Sequence, residues 1–143
     1  LMIVGDGKQQ PELETFVQQS GLEEQVTWVG KVPYRFVGDY FKFADVFVFP
    51  TYDDIWGMVL VEAMAFGKPV ICSVGAGASE MVSEGQNGFL FSPEQSEDLA
   101  RKMANFIDDA SLVQRMGDKS LDIMTKHTPR HAVIPFIEAL KKL

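Results

Sequence analysis

One cysteine, two histidines and thirteen basic residues against twenty acidic ones exclude several kinds of protein at once. A lone Cys72 cannot close a disulfide within the chain. Standing in the apolar stretch Val70-Ile71-Cys72, it reads as an inert core residue rather than a nucleophile. A net charge of -7 lacks the clustered Lys and Arg that a nucleic-acid backbone requires. The longest uncharged apolar run falls far short of the ~20 residues that span a bilayer. No Cys/His/Asp cluster has the spacing of metal ligands, and Asp53-Asp54 alone does not make a cation site. His127 and His131 lie far in sequence from every candidate loop and read as surface or capping residues. There is no internal repeat and no low-complexity tract. No signal peptide is expected: Leu1 falls inside a strand-like run, Leu1-Met2-Ile3-Val4, and the expectation is a start within a longer protein.

What is present is an ordinary globular composition, 46% hydrophobic and 23% charged over 143 residues, enough to bury one core. Apolar runs at residues 1 to 4, 26 to 29, 46 to 49, 70 to 73 and 89 to 91 read as strands and alternate with helical stretches. That alternation predicts an α/β fold, a Rossmann-like parallel sheet flanked by helices on both faces. Gly5-Asp6-Gly7-Lys8 is a turn. It is not a dinucleotide fingerprint, because Gln10 and Pro11 stand where glycine is needed. Pro11 suits the first turn of a helix with the stripe Leu13, Phe16, Val17 and a stop at Gly21. Tyr34 to Phe43 is aromatic-rich and reads as a helix docking Tyr40 and Phe41 on a sheet. Ser92-Pro93-Glu94-Gln95 has the form of a capping box. The helix after it presents Leu99, Met103, Phe106 and Ile107 on one face and ends at Asp108-Asp109. Ser111 starts another, with Leu112, Met116, Leu121 and Met124 inward. His127-Thr128-Pro129 breaks it, and a last helix from about Ala132 carries Val133, Phe136, Ile137 and Leu140.

The most informative stretch runs from Pro50 to Gly67. Val46-Phe47-Val48-Phe49 is a buried strand that Pro50 ends. Met58 to Phe66 is apolar apart from Glu62, with Gly67 placed for a left-handed helix end, and predicts a helix buried on nearly all sides. Val70-Ile71-Cys72 follows Lys68-Pro69, completing a βαβ crossover with parallel strands. Glu62 has no Lys or Arg at helical spacing, so its partner must come from elsewhere. Two readings stay open: a basic residue or loop amides of the protein, or the vicinal hydroxyls of a ligand. The loops Thr51 to Gly57 and Ser73 to Ser79 both leave strands at the carboxyl edge, where open parallel sheets hold ligands. In the second loop small residues, Gly77 among them, let backbone N–H groups approach an anion. A short helix, Ser79 to Ser83, is expected after it, with Glu80 as a cap-side charge or a ligand contact.

Asp54, Gly57 and Glu62-Ala63-Met64-Ala65, followed by Gly67-Lys68-Pro69-Val70, resemble the hallmark of retaining GT-B glycosyltransferases of the nucleotide-sugar-using family that includes glycogen and sucrose synthases, often called family 4 or group 1. That hallmark is two acidic residues with seven between them, then Ala-Met-Ala and a Gly-x-Pro-Val strand entry. Val4-Gly5-Asp6-Gly7, Val29-Gly30, Ala44 to Pro50, Gly85-x-Asn87-Gly88-Phe89 and Leu99-Ala100 extend the resemblance over essentially the whole chain. Two positions depart from it: the first acidic residue, usually Glu, is Asp54, and the usual Gly-Gly ahead of the short helix is Ala76-Gly77.

The resemblance implies that residues 1–143 form a single donor-nucleotide-binding domain, the C-terminal half of a GT-B fold lacking its first βα unit. It implies transfer of a hexosyl unit, with retention, from a UDP- or GDP-linked sugar to a glycan, lipid or small-molecule acceptor. In that reading Asp54 is the catalytic-site carboxylate beside the donor sugar, and Glu62 binds the ribose hydroxyls. Gly57, Met58 and Val59 present helix-start amides, backbone near Lys31 and Val32 lies against the base, and Gly77 belongs to the donor-binding loop. No metal is expected, because amides and basic side chains neutralise charge. The family's phosphate-binding Arg and Lys lie upstream of Leu1, as does the N-terminal Rossmann domain that holds the acceptor. The isolated chain is therefore expected to be catalytically silent, and the enzyme cytoplasmic, with any peripheral membrane association made through the missing domain. The alternatives are a non-catalytic nucleotide-sugar-binding domain and a GT-B nucleotide-sugar epimerase; the Ala63-Met64-Ala65 and Gly67 to Val70 run favours the transferase.

Overall fold

The computed structural model describes residues 1–142, which form two compact units, Leu1–Tyr40 and a second from Phe41 onward. Among these residues the five expected strands are all present within one or two positions: β1 Met2–Val4, β2 Thr27–Gly30, β3 Phe47–Phe49, β4 Val70–Ser73 and β5 Gly88–Phe91. Every pairing is parallel, and the strands divide between two hydrogen-bonded sheets, β1-β2 and β3-β4-β5.

In the first unit β1 and β2 are joined by α1, Gln10–Gln19, with Pro11 in its first turn as expected. The register runs Met2↔Thr27 and Ile3↔Trp28, then slips to Val4↔Gly30. At the slip Gly5 and Gly30 both adopt left-handed backbone, and Gly5 N–H donates to Gly30 O at 2.8 Å. The two carboxyl-edge loops are therefore tied together. The apolar stripe on α1 is largely uncovered: Leu13 and Phe16 are exposed and Val17 is half-covered. Periodicity identified the helix and its apolar face, but within this unit that face has too little to pack on. Helix α2, Tyr34–Phe43, carries the chain from one unit into the next.

In the second unit β4 lies between β3 and β5 and is fully buried along its length. Alternation sends Val48, Ile71 and Phe89, which share a register row, to one face. There they meet Phe91, Phe106 and Met116, with Leu99, Met103, Leu112 and Val113 around them, from α4, Ser96–Asp108, and α5, Ser111–Lys126. Phe47 and Phe49 take the opposite face, where Phe41 meets Phe47 edge-on and also packs against Phe66. Leu60, Ala63 and Met64 of α3, Met58–Ala65, are fully buried and pack it beside β3 and β4. Helices thus cover both faces of this sheet.

Helix α3 ends in a Schellman motif. Gly67, at φ +70°, donates to Met64 O at 3.0 Å and Lys68 N–H to Ala63 O at 3.1 Å. The Gly67-Lys68-Pro69 turn is also a landing pad for α5: a Cβ at Gly117 would lie 2.3 Å from Gly67 O, so the helix approaches backbone to backbone. One turn on, Ser120 is fully buried and its hydroxyl has no hydrogen-bond partner among the described residues. Because an unsatisfied buried hydroxyl is a liability, Ser120→Ala is expected to leave stability unchanged or raise it by up to about 1 kcal/mol, measurable as the thermal midpoint.

Several local expectations are corrected. Helix α3 is not buried on nearly all sides: Met58, Ala65 and Phe66 are exposed. Ser92 to Gln95 is not a capping box but a free-standing turn, Gln95 N–H donating to Ser92 O at 3.0 Å, and α4 starts only at Ser96 with no side-chain cap. Ile107 is exposed, since it follows Phe106 by one residue and so points off the buried face; Leu121 is also largely exposed, although its side chain lies against Gly67. The short helix is a 3-10 turn at Gly77–Met81, two residues earlier than expected. The last helix, α6, Pro129–Leu140, begins three residues earlier because Thr128 caps it, its hydroxyl accepting from His131 N–H. Val133, Phe136, Ile137 and Leu140 are exposed along it. No helix among the described residues is long and apolar enough to cross a membrane.

Candidate functional site

The loops that leave β3 and β4 are joined to each other by backbone. Asp54 N–H donates to Gly75 O at 3.2 Å, Gly77 N–H to Asp54 O at 2.9 Å, and Ala78 N–H to Trp56 O at 2.6 Å, with Asp54 and Ala76 bridged in parallel. The β3-β4 pairing, which ends at Phe49↔Cys72, is thus resumed beyond the strands. Two glycines allow the approach. A Cβ at Gly75 would lie 2.1 Å from Tyr52 O, and one at Gly77 would lie 2.2 Å from Ile55 O. The buried Ser73 hydroxyl accepts from Gly75 N–H at 3.0 Å and fixes the start of the second loop.

Asp54 is half-buried and turns back on its own loop, Oδ1 accepting from Trp56 N–H at 3.0 Å. The turn delivers Gly57 in left-handed conformation, φ +92°, against Phe49, whose Cε1 would be 2.7 Å from any Cβ there. Gly57 is the N-cap of α3. The N–H groups of Met58 and Val59, in the helix's first turn, have no acceptor inside the helix, and the positive end of its dipole opens where Asp54 stands. Met58 is exposed and Val59 half-buried. Glu62, one turn further on, is half-buried and is not left without a partner.

Of the expected residues, then, Asp54, Gly57, Met58, Val59 and Gly77 come together at one loop cluster, with Glu62 on the helix that starts there. Lys31 and Val32 belong to the first unit, on the loop after β2; Lys31 is exposed and Val32 half-buried. Glu80 is exposed on the 3-10 turn. The cluster is open surface, with Ile55 97% and Tyr52 72% exposed. A groove between α5 and α6, lined by Lys126, His127, Thr128, Pro129 and His131, includes none of these residues. His127 bonds Ile123 O and His131 bonds the Thr128 hydroxyl, which agrees with their expected capping roles. Among the described residues no group of three or more His, Cys, Asp or Glu converges as metal ligands do.

Sequence reasoning missed Ser73, Gly75 and the Trp56 amide. The signal available was the alternation Gly75-x-Gly77 directly after a strand, which suits backbone pairing rather than a flexible loop. Cys72, fully buried beneath this edge, has its thiol pushed up to about 11 by desolvation. It is expected to resist thiol reagents at pH 8 until the chain is unfolded, a difference that timed alkylation reads directly.

A parallel sheet with helices on both faces, and a carboxylate-bearing loop and a helix amino end at its carboxyl edge, is the build of the C-terminal domain of GT-B glycosyltransferases. Solved structures share the fold. The HepE protein of Anabaena, crystallised in complex with UDP, superimposes with a TM-score of 0.83 at 28% identity over 99% of this chain and 40% of that one. The C-terminal domain of a glycosyl transferase group 1 family protein, LpcC, from Francisella tularensis gives 0.76 at 26% identity, covering 82% and 60%.

The family profile "Glycosyl transferases group 1" matches residues 1–121, and the chain belongs to that family. By sequence it is 34% identical over 114 residues to a D-inositol 3-phosphate glycosyltransferase of Streptomyces griseus. That alignment covers 79% of this chain and 24% of the relative, so the chain spans about a quarter of the length of that protein.

Proposed function

We propose that this chain supplies the donor side of a glycosyltransferase that moves a hexosyl unit from a nucleoside-diphosphate sugar, with retention, to a glycan, lipid or small-molecule acceptor. The observation that carries the reading is the joining of the Asp54 and Gly77 loops at the amino end of α3, in a family member whose solved relative holds UDP. There the amides of Gly57, Met58 and Val59 and the helix dipole stabilise negative charge as it develops on the departing diphosphate. Glu62 accepts hydrogen bonds from the ribose hydroxyls. No metal is required in this scheme, because amides, the dipole and basic side chains neutralise the phosphates.

Asp54 carries a second reading. Its Oδ1 accepts the Trp56 amide, so part of its role is to shape the loop that delivers Gly57, whether or not it also touches the donor sugar. Both readings expect Asp54→Glu, in a full-length enzyme, to retain activity within about tenfold, because glutamate preserves the charge and the acceptor. Activity falling below a thousandth of wild type would show that the shorter side chain is indispensable.

The reading is tested by calorimetric titration of this chain, and of one extended upstream, with UDP, GDP and ADP. Saturable binding of one nucleotide supports it and names the base. Binding only by the extended chain places part of the site in the preceding βα unit. If the folded, extended chain ignores all three, a non-catalytic domain replaces the transferase. The isolated chain is expected to show no turnover of UDP-glucose; turnover unaided would overturn these roles. The enzyme is expected in the cytoplasm, with any membrane contact made through the acceptor-holding N-terminal domain.

A further inference from the structure

We propose that Gly75 and Gly77 are positioning residues for Asp54 and the amino end of α3, because the loop that carries them holds Thr51 to Gly57 in place through contacts that leave room only for glycine. The functional consequence rests on the donor-site reading; the structural claim stands on the two loops alone.

The Asp54 loop has little side-chain anchorage of its own. Tyr52, Asp53, Ile55 and Trp56 are exposed, and Thr51 bonds only within the loop, its hydroxyl donating to Asp53 O. What locates it is backbone: three hydrogen bonds between residues 54–56 and 75–78, and two carbonyls, Tyr52 O and Ile55 O, set against glycine Cα positions. Neither Gly75 nor Gly77 is among the residues with positive φ. Glycine is therefore required there for space and not for backbone conformation. At the positions a Cβ would occupy, 2.1 and 2.2 Å from those carbonyl oxygens, the loops must part by about 1 Å to restore ordinary contact. A displacement of that size at a binding or catalytic group costs on the order of 100-fold. It would reach Asp54 and Gly57 directly, because Gly77 N–H bonds Asp54 O and Ala78 N–H bonds Trp56 O.

The experiment compares amide NMR spectra and UDP titrations of the wild-type chain with those of Gly75→Ala, Gly77→Ala and Gly117→Ala. The last is a control with an equally close Cβ, 2.3 Å from Gly67 O, at the α5 contact. Gly75→Ala and Gly77→Ala are expected to shift the amide signals of Asp54, Trp56 and Met58, speed hydrogen exchange at Ala78, and weaken UDP at least tenfold. Gly117→Ala is expected to leave those signals in place even where it lowers the melting temperature. Should the loop variants not fold, Ser73→Ala, which removes only the hydroxyl that accepts Gly75 N–H, is expected to move the same amides by less. Unmoved signals at residues 54–58 in Gly77→Ala, or in Ser73→Ala where that must serve, overturn the proposal, as do equal shifts in Gly117→Ala. If neither the wild-type chain nor the chain extended upstream binds UDP, GDP or ADP, the donor-site reading is what fails, and the amide shifts still decide the positioning.

Discussion

Glu62→Ala is expected to weaken binding of the donor nucleotide by about 100-fold while leaving a folded chain. Glu62 is the only charged residue in α3 and sits one turn inside a helix whose amino end opens at the Asp54 loop. Two hydroxyls donating to one carboxylate are charge-assisted hydrogen bonds, each worth about 1.5 kcal/mol or more. Losing both removes about 3 kcal/mol, which is roughly two decades in Kd. Glu62→Gln keeps the shape and one acceptor oxygen, and is expected to fall between, near tenfold. The same titration with the 2′-deoxynucleotide separates binding from folding: it should cost wild type about as much as one lost hydrogen bond and cost Glu62→Ala almost nothing further. Equal penalties in both proteins would remove Glu62 from the ribose site.

The largest effect on stability is expected from Gly88→Ala, which should cost about 3 kcal/mol and lower the thermal midpoint by roughly 10 °C. Gly88 opens β5 and pairs with Val70. Its missing Cβ would stand 1.9 Å from Val70 O and 2.9 Å from Val70 Cγ2. Val70 is fully buried in the central strand, and its N–H donates to Asn87 O at 3.1 Å. Asn87 is itself fully buried, its side chain accepting from Ser83 N–H at 2.7 Å and donating to Met81 O at 3.2 Å. Nothing there can yield without breaking a backbone bond or an amide contact. Gly85 makes the contrast. It has φ +73° but open space around the Cβ position, so Gly85→Ala carries only the left-handed penalty of about 1 kcal/mol. If thermal melts rank the two the other way, crowding is not what fixes glycine at 88.

Strands, helices and the candidate loop were legible because each rests on local signals. Phe47-Val48-Phe49 and Val70-Ile71-Cys72 are short branched or aromatic runs bounded by Pro50 and Pro69, and Gly67 marked the end of α3 where a Schellman motif now stands. The failures were failures of context. Ser92-Pro93-Glu94-Gln95 carries the residues of a capping box, yet the turn Gln95→Ser92 closes first and the helix waits until Ser96. Leu13 and Phe16 make an apolar stripe, and the stripe stays exposed because periodicity names a face without naming what covers it.

By itself the sequence determined a parallel α/β chain, since the alternation of apolar runs is a property of neighbouring residues, and its motifs from Asp54 to Val70 carried the resemblance to group 1 glycosyltransferases. Only the tertiary structure decided how the site is held together. The bonds from residues 54–56 to 75–78, and the contacts that exclude a Cβ at Gly75, Gly77, Gly88 and Gly117, join positions distant along the chain through backbone atoms and empty space. A glycine in a sequence does not say which carbonyl will come to lie against it.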